Sequence, residues 1–398
     1  MASYTVPGVY IEEPTGLALS VQTGETAVPV FAYELSSKDE DVKKVFSDDK
    51  GGKSFSSWLD VVSAMTQSIP QDKKLVGDKA QQALLKMTEA LEDEALYQSL
   101  RLYFTNGGGR CYVAPVDTLS ALVPTLDDVT LLVQAGCDLS KFLVQVNSLC
   151  QTGKPYFALF DGPKTAITKV SDVTIQQDTY GLNETASAYA AVYYPWLKQK
   201  ETDPDSNVWP PSGAVAGVYA RVDRERGVWK APANVALTGA VPAFKVSDEI
   251  DGACNAPATG GKSINVIREF RGTGPLIWGA RTLKSDNGNW KYVPVRRLFS
   301  AAEKDIKTAM SAAIFEPNSQ QTWASVRSAV ESYLFGLWKQ GALMGETPEQ
   351  AYNVQIGLGV TMTQTDIDNG YLKIKVGLAV VRPAEFIILQ LSQNVVAG

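Results

Sequence analysis

Val354-Gln-Ile-Gly-Leu-Gly-Val-Thr-Met362 and Leu372-Lys-Ile-Lys-Val-Gly-Leu-Ala-Val380 each place an apolar residue at every second position. A strand sends successive side chains to opposite faces, so this period of two predicts two half-buried strands. Asp368-Asn369-Gly370 between them has turn chemistry, which makes the strands neighbours. Just upstream the period is different. Leu298, Ala302, Ile306, Met310 and Ala313 mark one face of a helix, and Trp323, Val326, Val330, Leu334 and Leu337 mark a second, closed by Gly341. Two helices followed by a small sheet predict a C-terminal helix-plus-sheet domain.

Working outward, Thr26 to Tyr33, Cys111 to Val116, Val129 to Val133 and Tyr156 to Asp161 read as short buried strands, with a helix around Leu139 to Cys150. Alternating strand and helix signals predict a layered α/β domain. The aromatic run Ala186 to Trp196 continues it as core. Leu84, Met87, Leu91, Leu96, Leu100 and Tyr103 predict one helix that stops at Gly107-Gly108-Gly109, with Glu89, Glu92, Asp93 and Glu94 as its wet face. The Lys- and Asp-rich stretch from Ser36 to Lys53 reads as a solvated loop or insertion.

The two ends differ from the body. No charge precedes Glu12, and Val6-Pro-Gly-Val-Tyr-Ile11 reads as an extended arm, because Pro7 and Gly8 forbid a helix. No charge follows Glu385, and Phe386-Ile-Ile-Leu-Gln-Leu391 is apolar at both parities. A free edge of that kind aggregates, so it must be covered, in our reading by another subunit. The expected fold class is therefore mixed α/β (α+β), multidomain, with extended N- and C-terminal strand arms. The divisions are an arm over 1–22, an N-terminal part of the body with an insertion over 23–105, a central α/β domain over 106–260, a C-terminal domain over 261–384 and a strand arm over 385–398.

Composition removes several function classes. The 398 residues carry a net charge of −6 without a basic run, against a surface made for nucleic acid. The opening lacks the basic start and apolar core of a signal peptide, and no stretch of about 18 uncharged apolar residues could span a bilayer. Synthesis in the cytoplasm and no membrane insertion are expected. The chain has no histidine, which excludes a Ser-His-Asp triad, a Cys-His dyad and His general-base catalysis together. Cys111, Cys137, Cys150 and Cys254 are widely spaced and read as buried free thiols; no metal or cofactor is expected.

Three short motifs imitate chemistry. Ala256-Pro-Ala-Thr-Gly-Gly-Lys-Ser263 meets the looser spelling of a phosphate loop, but such a loop needs a buried strand before it and a helix after it. Here a polar stretch precedes, and β-branched Ile264-Asn-Val-Ile267 follows as a strand. Gly272-Thr-Gly274 lacks the third glycine of a dinucleotide fingerprint and reads as a turn. Asp223 and Glu225 sit among arginines, a pattern of salt-bridged surface more than of a catalytic pair. No enzyme is expected.

Pro210-Pro-Ser-Gly213, Ala216-Gly-Val-Tyr-Ala-Arg221, Asp223, Arg226-Gly-Val-Trp229 and Ala231-Pro-Ala-Asn234 resemble the contractile tail sheath protein family. The resemblance continues through Ile264-Asn265, Gly274, Trp278-Gly-Ala-Arg-Thr282, Val295-Arg-Arg-Leu298, Phe315-Glu-Pro-Asn318, Trp323, Gly341-Ala-Leu343 with Gly345, and Pro383-Ala-Glu-Phe386. Pro7-Gly-Val-Tyr10 with Glu12-Glu13 looks like the family's opening, whereas residues about 35 to 105 match no family pattern.

The resemblance implies a homo-oligomer of stacked six-fold rings around an inner tube, joined to baseplate and terminal cap proteins, which shortens to drive the tube through a target envelope. It places the chain in a phage tail or tail-like particle released from the cell. It assigns inter-subunit strand exchange to Val6, Val9, Tyr10 and Ile11 at one end and to Phe386, Ile388, Leu389 and Leu391 at the other. For the block with Arg221, Asp223, Arg224 and Arg226 two readings stand, switchable charge pairs between subunits or small residues and Trp229 packing a tight turn; Arg296 and Arg297 are further candidates for charge pairs between subunits. A P-loop nucleotide-binding protein acting through 256–263 and a receptor-binding tail component are the alternatives, the latter without the internal repeats it would need. Phage, tailocin and extracellular injection particle remain equally open.

Overall fold

The computed structural model describes residues 19–37, 39–47, 52–69, 78–199, 208–255, 261–286 and 288–386. The chain forms two compact units. The larger takes residues 24–304 with 380–386, and the smaller takes 19–23 with 305–379. The chain therefore passes between them at 23/24, 304/305 and 379/380.

The strands are β1 (Pro29–Tyr33), β2 (Lys53–Phe55), β3 (Cys111–Pro115), β4 (Leu131–Val133), β5 (Phe157–Asp161), β6 (Ala190–Tyr194), β7 (Leu197–Lys198), β8 (Val235–Ala236), β9 (Val241–Pro242), β10 (Ile264–Phe270), β11 (Gly274–Ile277), β12 (Tyr352–Gln355) and β13 (Lys375–Leu378). Nine build one sheet in the larger unit, in the order β2-β3-β1-β4-β5-β6-β10-β11-β8. Its centre from β3 to β10 is parallel, with Val30 opposite Tyr112 and Leu132, and Ile264 opposite Val192. Every residue of β1, β4, β5 and β6 is buried. A parallel sheet covered on both faces demands such runs without alternation. β2 and the β10–β11–β8 edge pair antiparallel.

The sheet carries past the sequence boundary at 260/261, because β10 and β11 belong to it. Two other expectations are corrected. The polar stretch after Ser36 contains the helix Glu40–Phe46, capped by the Asp39 carboxylate, with Val42, Val45 and Phe46 buried. The run from Leu84 to Tyr103 is two helices, Asp78–Glu92 and Ala95–Thr105, broken at Asp93–Glu94. Glu94 is not on the wet face. It is buried, accepting from the Ser36 and Ser37 N–H groups and the Ser36 hydroxyl.

In the smaller unit the helix Gln320–Lys339 and the end of the helix Val293–Met310 accompany a two-stranded antiparallel sheet, with Val354 opposite Val376. Val326, Ile356 and Met362 form its core, with Leu19, Trp323, Leu372 and Ile374 packed around them. The first strand ends sooner than its alternation predicts. Gly357 and Gly359 take positive φ, and Leu358 and Val360 face solvent. The turn at Asp368-Asn369-Gly370 instead closes a short helix, Gln364–Asp368.

Candidate assembly site

Val6, Val9, Tyr10, Ile11, Ile388, Leu389 and Leu391 lie outside the described residues, and Phe386 is 73% exposed. The densest block of the resemblance is inside the body. Ser212–Arg226 is a helix buried from Ser212 to Ala220, and it packs on the helix Ala95–Thr105. Its glycines set the approach. A Cβ on Gly213 would stand 2.6 Å from the Ser99 carbonyl oxygen, and one on Gly217 2.4 Å from that of Tyr103.

Both ends of this helix are tied by carboxylates. At its start, the buried Asp161 at the end of β5 accepts from the backbone N–H of Ser212 at 2.8 Å and of Gly136 at 2.9 Å, so a residue 51 positions away supplies the negative charge a helix N-terminus favours. Burial pushes that carboxyl up to about 6 against these hydrogen bonds. At its other end Asp223 meets Arg297 through a two-pronged ion pair, 2.6 and 3.0 Å, with the two side chains 6% and 3% exposed. The Thr26 hydroxyl donates to Asp223 at 2.5 Å, Arg297 donates to the Thr26 carbonyl at 3.0 Å, and the Tyr219 ring lies 4.7 Å from the guanidinium.

The other expected charges divide by burial. Arg296 is sunk in an aromatic cage, 4.2 Å from the Trp290 ring and 4.5 Å from that of Tyr189, and it bonds Ser300 and Glu303. Arg221 donates to the Ala236 carbonyl and Arg224 to that of Gly107. Arg226 is exposed in the last turn of the helix. Thus Asp223, Arg297 and Arg296 are engaged inside one subunit, while Arg224 and Arg226 sit on its surface.

Sequence reasoning missed a second clamp. The Arg281 side chain, 6% exposed, grips Glu385 at 2.6, 2.9 and 3.2 Å, and the Tyr292 hydroxyl donates to the same carboxylate at 3.2 Å. Arg281 is itself fixed. The Asn265 side chain accepts from its N–H at 2.7 Å and donates to its carbonyl at 2.8 Å. Both partners lie in runs that carry the resemblance, but nothing local pairs residues 104 positions apart.

The phosphate-loop spelling has its neighbours reversed. The helix Asp248–Asn255 precedes it and β10 follows, and the Ser263 hydroxyl is bonded to the Asn255 carbonyl and to Ser285; residues 256–260 lie outside the described residues. Gly272 and Gly274 take positive φ in the β10–β11 turn. The four cysteines are buried and free, and burial raises their thiols, Cys254 to about 12. No described helix is long and apolar enough to cross a membrane.

Comparison with known proteins accounts for this arrangement. Residues 137–283 match the phage tail sheath protein central domain, and residues 285–394 match the phage tail sheath C-terminal domain. The fold superposes on the PVC sheath of an extracellular contractile injection system in its contracted state, with a TM-score of 0.81 and 47% identity over 99% of both chains. It also superposes on the contracted helical sheath of the anti-feeding prophage, with a TM-score of 0.73 and 38% identity over 98% of this chain and 100% of that one. The tail sheath protein of Vibrio phage KVP40 is 26% identical over 159 residues, 40% of this chain, and the chain spans 24% of that relative's length. With two sheath domains in tandem and a full-length likeness to solved sheaths, the chain belongs to the contractile phage-tail sheath family.

Proposed function

We propose that copies of this chain polymerise helically around an inner tube and shorten to drive that tube through a target envelope. The observation that carries this reading is the 47% identity to the contracted PVC sheath over 99% of both chains. The closer likeness to the PVC sheath of an extracellular contractile injection system than to the tail sheath protein of Vibrio phage KVP40 favours a released, tail-like particle. The role is structural, not catalytic. The partners are other copies in six-fold rings, the tube, the baseplate and a terminal cap, with neither nucleic acid nor membrane insertion.

Neighbours are joined by exchanged strands, Val6 to Ile11 from one copy and Phe386 to Leu391 from another. Main-chain hydrogen bonds and apolar pockets on a neighbour satisfy such segments, and head-to-tail exchange makes an open helical polymer. Asp223, Arg296 and Arg297 hold each body rigid, leaving Arg224 and Arg226 to face neighbours, where charge sets register more than affinity.

Electron microscopy of the purified chain tests this. Hollow, helically striated cylinders are expected from the full chain, and a folded monomer from a chain lacking 387–398. Loss of folding on that deletion would mean that the segment pairs within its own chain.

A further inference from the structure

The last described residues of the larger unit form a narrow strip. From Val381 to Phe386 there is neither helix nor strand, and half-buried and exposed residues alternate: Val381, Pro383 and Glu385 turn inward, Arg382, Ala384 and Phe386 outward. Glu385 is the last inward residue of this strip, and Phe386 is 73% exposed. The twelve residues that follow, 387–398, carry no charge.

The hold on Glu385 is elaborate for one half-buried carboxylate. Arg281 meets it with two nitrogens, which fixes the plane as well as the position of the carboxylate, as a point charge on a lysine would not. Tyr292 adds a third donor. The guanidinium is oriented from behind by the Asn255 carbonyl, and the Arg281 backbone is locked by Asn265. Even the approach is shaped, since a Cβ on Gly279 would stand 2.7 Å from the Asn265 side-chain oxygen. The other end of the chain has a counterpart. Thr26, where the chain enters the larger unit, is held through both its hydroxyl and its carbonyl by the Asp223–Arg297 pair.

We propose that the Arg281–Glu385–Tyr292 clamp is a positioning device for assembly: it fixes the point and direction at which the C-terminal arm leaves the body, and so the register in which the arm reaches a second copy of this chain. The inference rests on the arm-exchange reading above. A linker that starts from a fixed point presents its binding segment at a high effective concentration to a site at matching distance. One that swings loses this advantage and must also be ordered on binding. Arg281, Glu385 and Tyr292 make no contact with the neighbour in this scheme; they act through residues 387–398.

Two variants of the full chain test it, Glu385→Gln and an insertion of two glycines between Glu385 and Phe386. The first removes the charge and one prong of the clamp, while the second leaves the clamp whole and uncouples the arm from it. Both monomers should melt within a few degrees of the parent, and both should give a roughly tenfold lower yield of cylinders, alone or co-expressed with the rest of the particle. A monomer that fails to fold with Glu385→Gln would overturn the proposal, because the clamp would then be a fold element. Normal cylinder yield and helical spacing in either variant would overturn it as well. The chain lacking 387–398 separates this failure from that of the functional reading. If the truncated chain still forms cylinders, arm exchange itself is wrong; if it does not, while Glu385→Gln assembles normally, only the clamp is wrong.

Discussion

The block from Pro210 to Asn234 and the loop from Ile314 to Asn318 both carry the family resemblance, yet they meet opposite environments. The first is a helix sealed against another helix, with its two ends tied by Asp161 and Asp223. The second holds Ile314 at 62% exposure and Phe315 fully exposed, with Phe315 in the left-handed region at φ 71. The loop is not slack. The Asn318 side chain donates to the Tyr371 carbonyl and accepts from the Trp323 indole, and the Thr322 hydroxyl donates to the Pro317 carbonyl. A motif shared by a family can thus serve the fold or the surface, and burial distinguishes the two where the motif cannot.

The sharpest way to break this contrast is to remove Asp223. Asp223→Ala leaves Arg297 charged and buried without its partner, and should cost about 3–5 kcal/mol of unfolding free energy in a urea titration. A loss below about 1 kcal/mol would mean that the block is a surface element after all.

A pH profile probes the other end of the same helix. Burial lifts the Asp161 carboxyl from its ordinary value of 3.8 to about 6 in the folded chain, so the folded state holds that proton more tightly than the unfolded state does. The stability this contributes is complete below the unfolded value and is lost as pH rises through about 6. Comparing the parent with Asp161→Asn, the parent's relative stability should fall by on the order of 2–3 kcal/mol between about pH 4 and pH 7. Parallel profiles would show that the carboxyl titrates alike in both states.

The loop should respond in the opposite direction and least. Phe315→Gly removes a fully exposed side chain and frees a residue held at positive φ, so monomer stability should rise by up to about 1 kcal/mol. A clear loss would make this loop part of the fold and erase the contrast.

Much of the fold was legible because buried parallel strands advertise themselves. β1, β3, β4 and, up to Asp161, β5 coincide with apolar runs, and the helices of the smaller unit with single apolar faces. The helix Glu40–Phe46 was hidden because only three of its seven residues are buried and the rest are charged. The helix Ser212–Arg226 was hidden for the converse reason: small residues buried on every side present no one apolar face. At the candidate site, the arginines and Asp223 were visible as residues, but their partners were not. Asp223 meets Arg297 across 74 positions and Arg281 meets Glu385 across 104, distances at which no periodicity operates.

The three passages of the chain between its units, at 23/24, 304/305 and 379/380, change how a pull is carried. A bead on a single linker transmits tension through one backbone and can twist freely about it. Here the chain passes between the units more than once, one passage lying inside the helix Val293–Met310, so a pull is carried along more than one backbone.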